Sequence, residues 1–279
     1  MALTEAEIAE RVNSIGASEV AAVLGLNEWQ SPHQVWLSKM GLATFKGNDA
    51  TEAGNDFEAT ILARCAKHNG LVLLPSRKVV GPESWLTATP DAFIAGGGLA
   101  EAKMVGFQQM WQWSRGGGGV PYTYLCQVQM QLFCTGEPYC IVAAQMGTEH
   151  HYYRVEPDTE LQALIVDGLR HFWFSYVVHQ VPPPIDGSDG AKEMLQKLYP
   201  RSARAMRTAT DTEEALAARI TSAEVELKKQ AEDVSCLKNL MRQSVTDWES
   251  IRGDGWKVRY KSSSNGQRPF YFEQSKGGK

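Results

Sequence analysis

The chain has no C-x-x-C pair, no histidine cluster, no apolar run of membrane-spanning length and no overall basic excess. Each absence excludes something. Its five cysteines, Cys65, Cys126, Cys134, Cys140 and Cys236, show neither zinc-ligand spacing nor the framework of a small secreted domain. They read as reduced thiols. The one adjacent histidine pair, His150-His151, falls in an expected strand, where neighbouring side chains point to opposite faces and make poor joint ligands. The first residues, with Glu5, Glu7 and Glu10, lack the charged-then-apolar pattern of a signal peptide, and no segment is long and apolar enough to span a bilayer. The expectation is a soluble, cytoplasmic protein without a membrane partner. With 28 basic and 32 acidic side chains the formal charge is -4, so any contact with nucleic acid must come from a local patch.

What is present centres on Thr89-Pro90-Asp91-Ala92-Phe93-Ile94, three glycines (Gly96 to Gly98), then Leu99-Ala100-Glu101-Ala102-Lys103. The pattern predicts two strands joined by a tight hairpin, the glycines supplying positive-φ positions. Side chains alternate along a strand, so Glu101 and Lys103 share a face, about 7 Å apart, while Ala100, Ala102 and Met104 take the other. Closing the hairpin returns Asp91 beside Glu101. Two adjacent carboxylates repel unless a cation or a raised pKa intervenes. A hard divalent ion suits such a pair, because Mg²⁺ takes one or two carboxylates, a carbonyl and waters. The plainer alternative is a hairpin carrying a surface Glu–Lys pair.

At 279 residues the chain accommodates one large domain, or one domain and an appendage. Helices are expected over 3–12 (capping box Thr4 and Glu7), 14–24, 31–40, 49–68, 104–114, 121–135 and 158–179, with strands over 71–80, 85–94, 98–104, 138–146 and 149–155. Phe57, Ile61, Leu62 and Cys65 mark the buried stripe of helix 49–68, and Glu58 falls on it. A carboxylate there requires a partner, either a salt bridge or a metal and its water. In helix 121–135 the apolar line is Leu125, Val128 and Leu132, and Tyr124, Gln127 and Gln131 form a polar line. Gly116 to Gly119 is a linker or a hinge beside a substrate. Pro182-Pro183-Pro184 closes a core over 1–184, leaving 185–279 as an extension. Its parts are a short helix at 189–198, a long helix over roughly 211–250 and two strands at 256–260 and 269–272. From Ile251 to Lys279 seven Lys/Arg against two Asp/Glu give a net +5. That tail is a solvated face, a phosphate-contacting arm or an oligomer contact.

Glu58 on a helix, Pro90-Asp91 before a hairpin, Glu101-Ala102-Lys103 on the next strand and Tyr124-Leu-Cys-Gln127-Val-Gln129 on the following helix resemble the lambda-exonuclease or YqaJ-type viral recombinase nucleases. These belong to the PD-(D/E)xK superfamily. The segment Arg11-Val-Asn-Ser-Ile-Gly-Ala-Ser18-Glu19-Val20 resembles the one that precedes the core in those enzymes, and the likeness runs over roughly residues 11 to 180. The resemblance implies an α/β fold: a restriction-endonuclease-like core, a mixed central sheet flanked by helices, with a C-terminal helix plus β-ribbon extension. It implies a phage- or prophage-encoded, Mg²⁺-dependent exonuclease, with Mn²⁺ able to substitute. Such an enzyme degrades one strand of a duplex DNA end 5′→3′, processively, as a homotrimer ring, leaving a 3′ strand for a single-strand annealing protein. By position Asp91, Glu101 and the Ala102 carbonyl would bind metal, with Glu58 helping to hold a second ion or its water. Lys103 would orient the attacking water and Gln127 would brace the site. Arg11 and Ser18 would grip the 5′-phosphate, and Tyr124 and Gln129 would form a second line behind the site.

Two rivals differ in kind. One is another nuclease of the superfamily, acting on single strands or cutting internally; the iron–sulfur relatives need four suitably arranged cysteines, a pattern not found here. The other is a non-catalytic DNA-end binding recombination protein, which would not need the acidic cluster.

Overall fold

The computed structural model describes residues 12–43, 49–115, 119–202 and 205–274. The helix expected at 3–12, Arg11 and most of the Gly116–Gly119 loop lie outside the described residues. The chain forms two compact units, Met1–Ser202 and Ala203–Lys279.

Among the described residues the first unit has a two-residue strand, β1 (Ile15–Gly16), then a 3-10 turn (Ala17–Glu19) and a short helix, α1 (Val20–Val23). The helix expected over 14–24 is therefore broken. Ile15 and Gly16 are drawn into extended backbone because β1 pairs in parallel with a later strand, a long-range partner that local spacing does not report. Helix α2 (Pro32–Lys39) starts as expected from a Ser31 cap and a first-turn proline. Helix α3 (Asp49–Asn69) follows, then β2 (Leu73–Pro75), β3 (Val79–Val80), β4 (Leu86–Ala88), β5 (Ala92–Ile94) and β6 (Leu99–Val105). The expected strands 71–80 and 85–94 are each split. Pro90, with no N–H to give a ladder, divides the second: β4 joins β1 and β3, whereas β5 joins the main sheet.

A 3-10 turn (Phe107–Gln109) and α4 (Met110–Arg115) lead to α5 (Tyr122–Thr135), which ends at Gly136 in the left-handed region. Strands β7 (Cys140–Met146) and β8 (Glu149–Val155) complete a five-stranded sheet of order β2-β5-β6-β7-β8. It is mixed, because β6 and β7 run parallel, with α5 in their crossover, and the other pairs are antiparallel. Helix α6 (Thr159–Phe172) continues as a π-helical turn (Trp173–Val178), and α7 (Asp189–Leu198) ends the unit. Helix α7 packs on α2, where Gln34 Nε2 donates to Glu193 Oε2 at 2.9 Å.

The period of two divides the sheet's faces. Phe93, Leu99, Val142 and Ala144 pack with Val128 and Leu132 of α5. Ala92, Ala100, Ile141 and Ala143 pack with Ile61 and Cys65 of α3. Phe57 of α3, expected in the stripe, is 42 % exposed, whereas Ile61 and Cys65 are buried. Leu164 of α6 is likewise exposed, whereas Ile165, Leu169 and Phe172 are buried as expected.

In the second unit α8 (Asp211–Val245) carries a complete Thr210–Glu213 capping box. It is followed by an antiparallel sheet of β9 (Ser250–Gly253), β10 (Trp256–Arg259) and β11 (Tyr271–Gln274). The ribbon has three strands rather than the expected two, because the helix stops at Val245 and 250–253 is freed to pair. Arg268 ties the unit together, donating to the carbonyls of Tyr260, Thr246 and Trp248 at 3.0, 2.9 and 3.0 Å. No described helix is long and apolar enough to cross a membrane.

Candidate active site

The hairpin forms as its sequence requires. Gly96, Gly97 and Gly98 have φ of 90°, 108° and 113°, and β5 pairs with β6 in the register Ala92↔Ala100 and Phe93↔Leu99. Extending that register by one residue sets Asp91 opposite Glu101. Alternation puts Glu101 and Lys103 on the face covered by α5, with Leu99 and Val105.

Asp91 is fixed through the backbone: the Ala102 amide donates to its Oδ2 at 2.7 Å. Extending the register by two residues sets Pro90 opposite Ala102, and a proline nitrogen has no hydrogen to offer the Ala102 carbonyl. The Pro90 carbonyl is itself taken by Ser76 Oγ at 2.7 Å. Here proline spares a strand carbonyl from the ladder at the site where the two carboxylates meet.

Glu101 is 1 % exposed and each of its oxygens is claimed. Lys103 Nζ donates to Oε1 at 2.6 Å, and Gln127 Nε2 donates to the same oxygen at 2.6 Å. Gln131 Nε2 donates to Oε2 at 2.8 Å. The ammonium also donates to Gln127 Oε1 at 3.1 Å and lies 5.2 Å from the centre of the Tyr124 ring. Tyr124 in turn stacks on buried Trp113 at 5.4 Å between centroids. Gln127 and Gln131 are one helical turn apart, so both reach the same strand.

Gln129, expected behind the site, faces away from it. Its Nε2 donates to the Glu156 carbonyl at 2.8 Å and its Oε1 accepts from the Asp158 amide at 2.9 Å and from Gln162 Nε2 at 3.0 Å. It ties α5 to the start of α6. Two residues along a helix is a rotation of about 200°, so it cannot share a face with Gln127 or Gln131. Gln131 is the residue that motif reading left off the site, although its place on the Tyr124–Gln127 line was the available signal.

The electrostatics follow from this crowding. Burial, then the neighbouring Glu101 carboxylate, push the Asp91 carboxyl well above its usual range; Lys103 and the Ala102 amide pull it back, and Glu58 adds to the rise. Burial would lower the Lys103 ammonium, but Glu101 and Asp91 outweigh it and hold its pKa above the ordinary value. Cys140, at the foot of β7, is pushed up by burial and then by the same two carboxylates. Glu58 is half-buried on α3 and acts on Asp91 through space.

Among the described residues no three carboxylate, imidazole or thiol groups close into a ready-made metal cage. The donor set still fits Mg²⁺, which needs only one or two carboxylates, a carbonyl and waters. Once Asp91 is ionised, it and Glu101 carry more negative charge than Lys103 neutralises, which a cation would offset, and the Oε1 atom of Gln131 is buried without a hydrogen-bond donor among the described residues. Ser18 is exposed on the turn after β1. Strands β1 and β4 are parallel, so Ser18 and the Pro90-Asp91 step leave the same end of that small sheet.

Residues 8–138 match the family model of the YqaJ-like viral recombinase domain, and Ser18, Glu58, Asp91, Glu101, Lys103, Gln127 and Gln131 all lie within the match. Over 198 residues the chain is 28 % identical to the uncharacterized protein YqaJ of Bacillus subtilis (strain 168), a match covering 68 % of this chain and 61 % of that protein. The fold is similar to the crystal structure of an alkaline exonuclease, LHK-Exo, from Laribacter hongkongensis (22 % identity, TM-score 0.55), over 70 % of this chain and 100 % of that one. The crystal structure of LHK-Exo in complex with dAMP matches with 21 % identity and a TM-score of 0.56, over the same shares of the two chains. The core is thus a mixed α/β fold like that of LHK-Exo.

Proposed function

We propose that this chain is a divalent-metal-dependent exonuclease that degrades one strand of duplex DNA from a 5′-phosphorylated end, 5′→3′ and processively, in phage-type recombination. The observation that carries the reading is the Glu101 carboxylate, held by Lys103, Gln127 and Gln131 beside the half-buried carboxyl of Asp91, whose pKa its surroundings raise. A plain surface Glu–Lys pair needs no such surroundings.

Asp91, Glu101 and the Ala102 carbonyl would hold Mg²⁺ or Mn²⁺, and Glu58 would help to hold a second ion. Bound there, the metal supplies an acidified water and positive charge against the anionic phosphodiester. The protein's own groups do the rest. Lys103, a compact point charge fixed by Gln127 and Tyr124, holds the attacking water's oxygen and faces the scissile phosphate. Gln127 and Gln131 fix the rotamer of Glu101 and leave one lone pair of its Oε2 free of a donor. Ser18, with Arg11, would bind the terminal 5′-phosphate, setting the polarity of digestion. A homotrimer ring around the duplex and a single-strand annealing partner complete the reading, both resting on the family resemblance.

The test is digestion of an end-labelled linear duplex carrying a 5′-phosphate, beside a 5′-hydroxyl duplex and a closed circle, with Mg²⁺ or with chelator. The expected outcome is metal-dependent loss of the 5′-phosphorylated strand, slower loss from 5′-hydroxyl ends and an untouched circle. Lys103→Ala should digest nothing while still binding duplex. Cutting of the circle, or full activity of Lys103→Ala, overturns the assignment.

A further inference from the structure

Helix α8 spans 35 residues, about 52 Å at 1.5 Å per residue, and from Glu214 to Leu240 every residue is exposed. A helix of that length without packing has little to hold it, because helical stability in proteins comes mainly from a covered apolar face. Its sequence has such a face. Leu216, Ile220, Ala223, Leu227, Val234 and Leu237 fall on alternating steps of four and three residues, interrupted only by Gln230. The series ends at Met241, which is half-buried in the unit. A strict 3.5-residue period maintained over nearly four heptads is the pattern of a coiled-coil seam rather than of a helix lying on a globular core. Leu216, Ile220, Leu227, Val234 and Leu237 are 49 %, 59 %, 67 %, 48 % and 65 % exposed.

We infer that this seam pairs with the same seam of a second copy of the chain, as a parallel, in-register coiled coil. The flanking charges select that occupant. With Ile220, Leu227 and Val234 at a and Leu216 and Leu237 at d, the g positions are Arg219, Glu226 and Asp233, and the e positions five residues on are Glu224, Ala231 and Lys238. Parallel pairing sets Arg219 against Glu224 of the second copy and Asp233 against its Lys238, with no like-charge contact. Antiparallel pairing over the same seam sets Glu226 against Asp233 and is disfavoured. Val225 is also exposed but lies off the seam. The pairing requires nothing of the nuclease core.

Two experiments on the full chain test this. In sedimentation, Arg219→Glu should weaken self-association about tenfold by making two attractive pairs repulsive, and Arg219→Glu with Glu224→Arg should restore it. Both positions are exposed, so neither variant threatens the fold. In a Cys236→Ser background, Leu237→Cys should give a covalent dimer on mild oxidation, and Ser235→Cys, on the outer face, should not. A wild type that remains monomeric, association indifferent to the charge swap, or equal cross-linking at 235 and 237 overturns the inference.

Discussion

Gln131 Nε2 and Glu101 Oε2 are 2.8 Å apart across the seam between α5 and β6, and both residues are 1 % exposed. Water does not compete for this bond, and nothing else in the described chain donates to that oxygen. The rotamer of the carboxylate therefore depends on a residue one turn beyond the recognisable Tyr124–Gln127 motif.

Replacing Gln131 with methionine keeps the volume and removes the donor. Outer partners of metal-binding groups are worth about 10- to 100-fold in metal affinity or activity. The expected result is a loss of that order in strand digestion, a higher Mg²⁺ half-saturation point and unchanged duplex affinity. A metal titration of the digestion rate checks it; Gln129→Met should leave that half-saturation point where it was.

Asp91 gives a pH signature in the metal-free protein. Its folded pKa is raised by burial and then by Glu101, so the folded chain retains a proton that the unfolded chain releases near 3.9. Stability from this group is complete below the unfolded value and is lost as pH rises through the raised folded value. Urea midpoints taken in chelator should fall across that window, and Asp91→Asn should flatten the fall. Added Mg²⁺ should raise the midpoint of the wild type at high pH and not that of the variant. Parallel curves for the two proteins would refute the charge crowding.

The hairpin turn sets the register, and Gly98 is its tightest point. At φ 113° an added Cβ would lie 2.7 Å from the Tyr139 ring, whereas at Gly96 it meets nothing within 4 Å. Gly98→Ala should cost about 2 kcal/mol or more, from backbone strain and a steric clash, and Gly96→Ala about 1 kcal/mol, from strain alone. Chemical denaturation of both variants separates the two terms.

Lys39 donates to both oxygens of Glu19, at 2.8 and 2.6 Å, and Glu19 Oε2 accepts from the Gly16 amide at 2.8 Å. This buried pair sets the turn that displays Ser18. Lys39→Met should destabilise the first unit by about 3 kcal/mol, because it strands a largely buried carboxylate. If Ser18 holds the 5′-phosphate, the folded variant should also discriminate less between phosphorylated and hydroxyl ends, measured as the ratio of the two digestion rates.

Much of this was written locally. The hairpin glycines, the shared face of Glu101 and Lys103 and the return of Asp91 beside Glu101 depend on strand alternation and turn chemistry, which act over a few residues. Helix α2 followed from Ser31-Pro32 for the same reason. The split of 85–94 into two sheets, the strand at Ile15–Gly16 and the third ribbon strand were not legible, because each depends on a partner far along the chain.

The sequence by itself determined which side chains stand on each face of a strand or helix, since that is set by periods of two and 3.6 residues. It therefore determined the pairing of two carboxylates with an ammonium, and the heptad seam of α8. Only the tertiary structure decided which helix face meets which strand face. That packing turned Gln131 onto Glu101 and Gln129 onto α6, and raised the pKa of Asp91, because desolvation and charge crowding arise only when separate segments close over the same space.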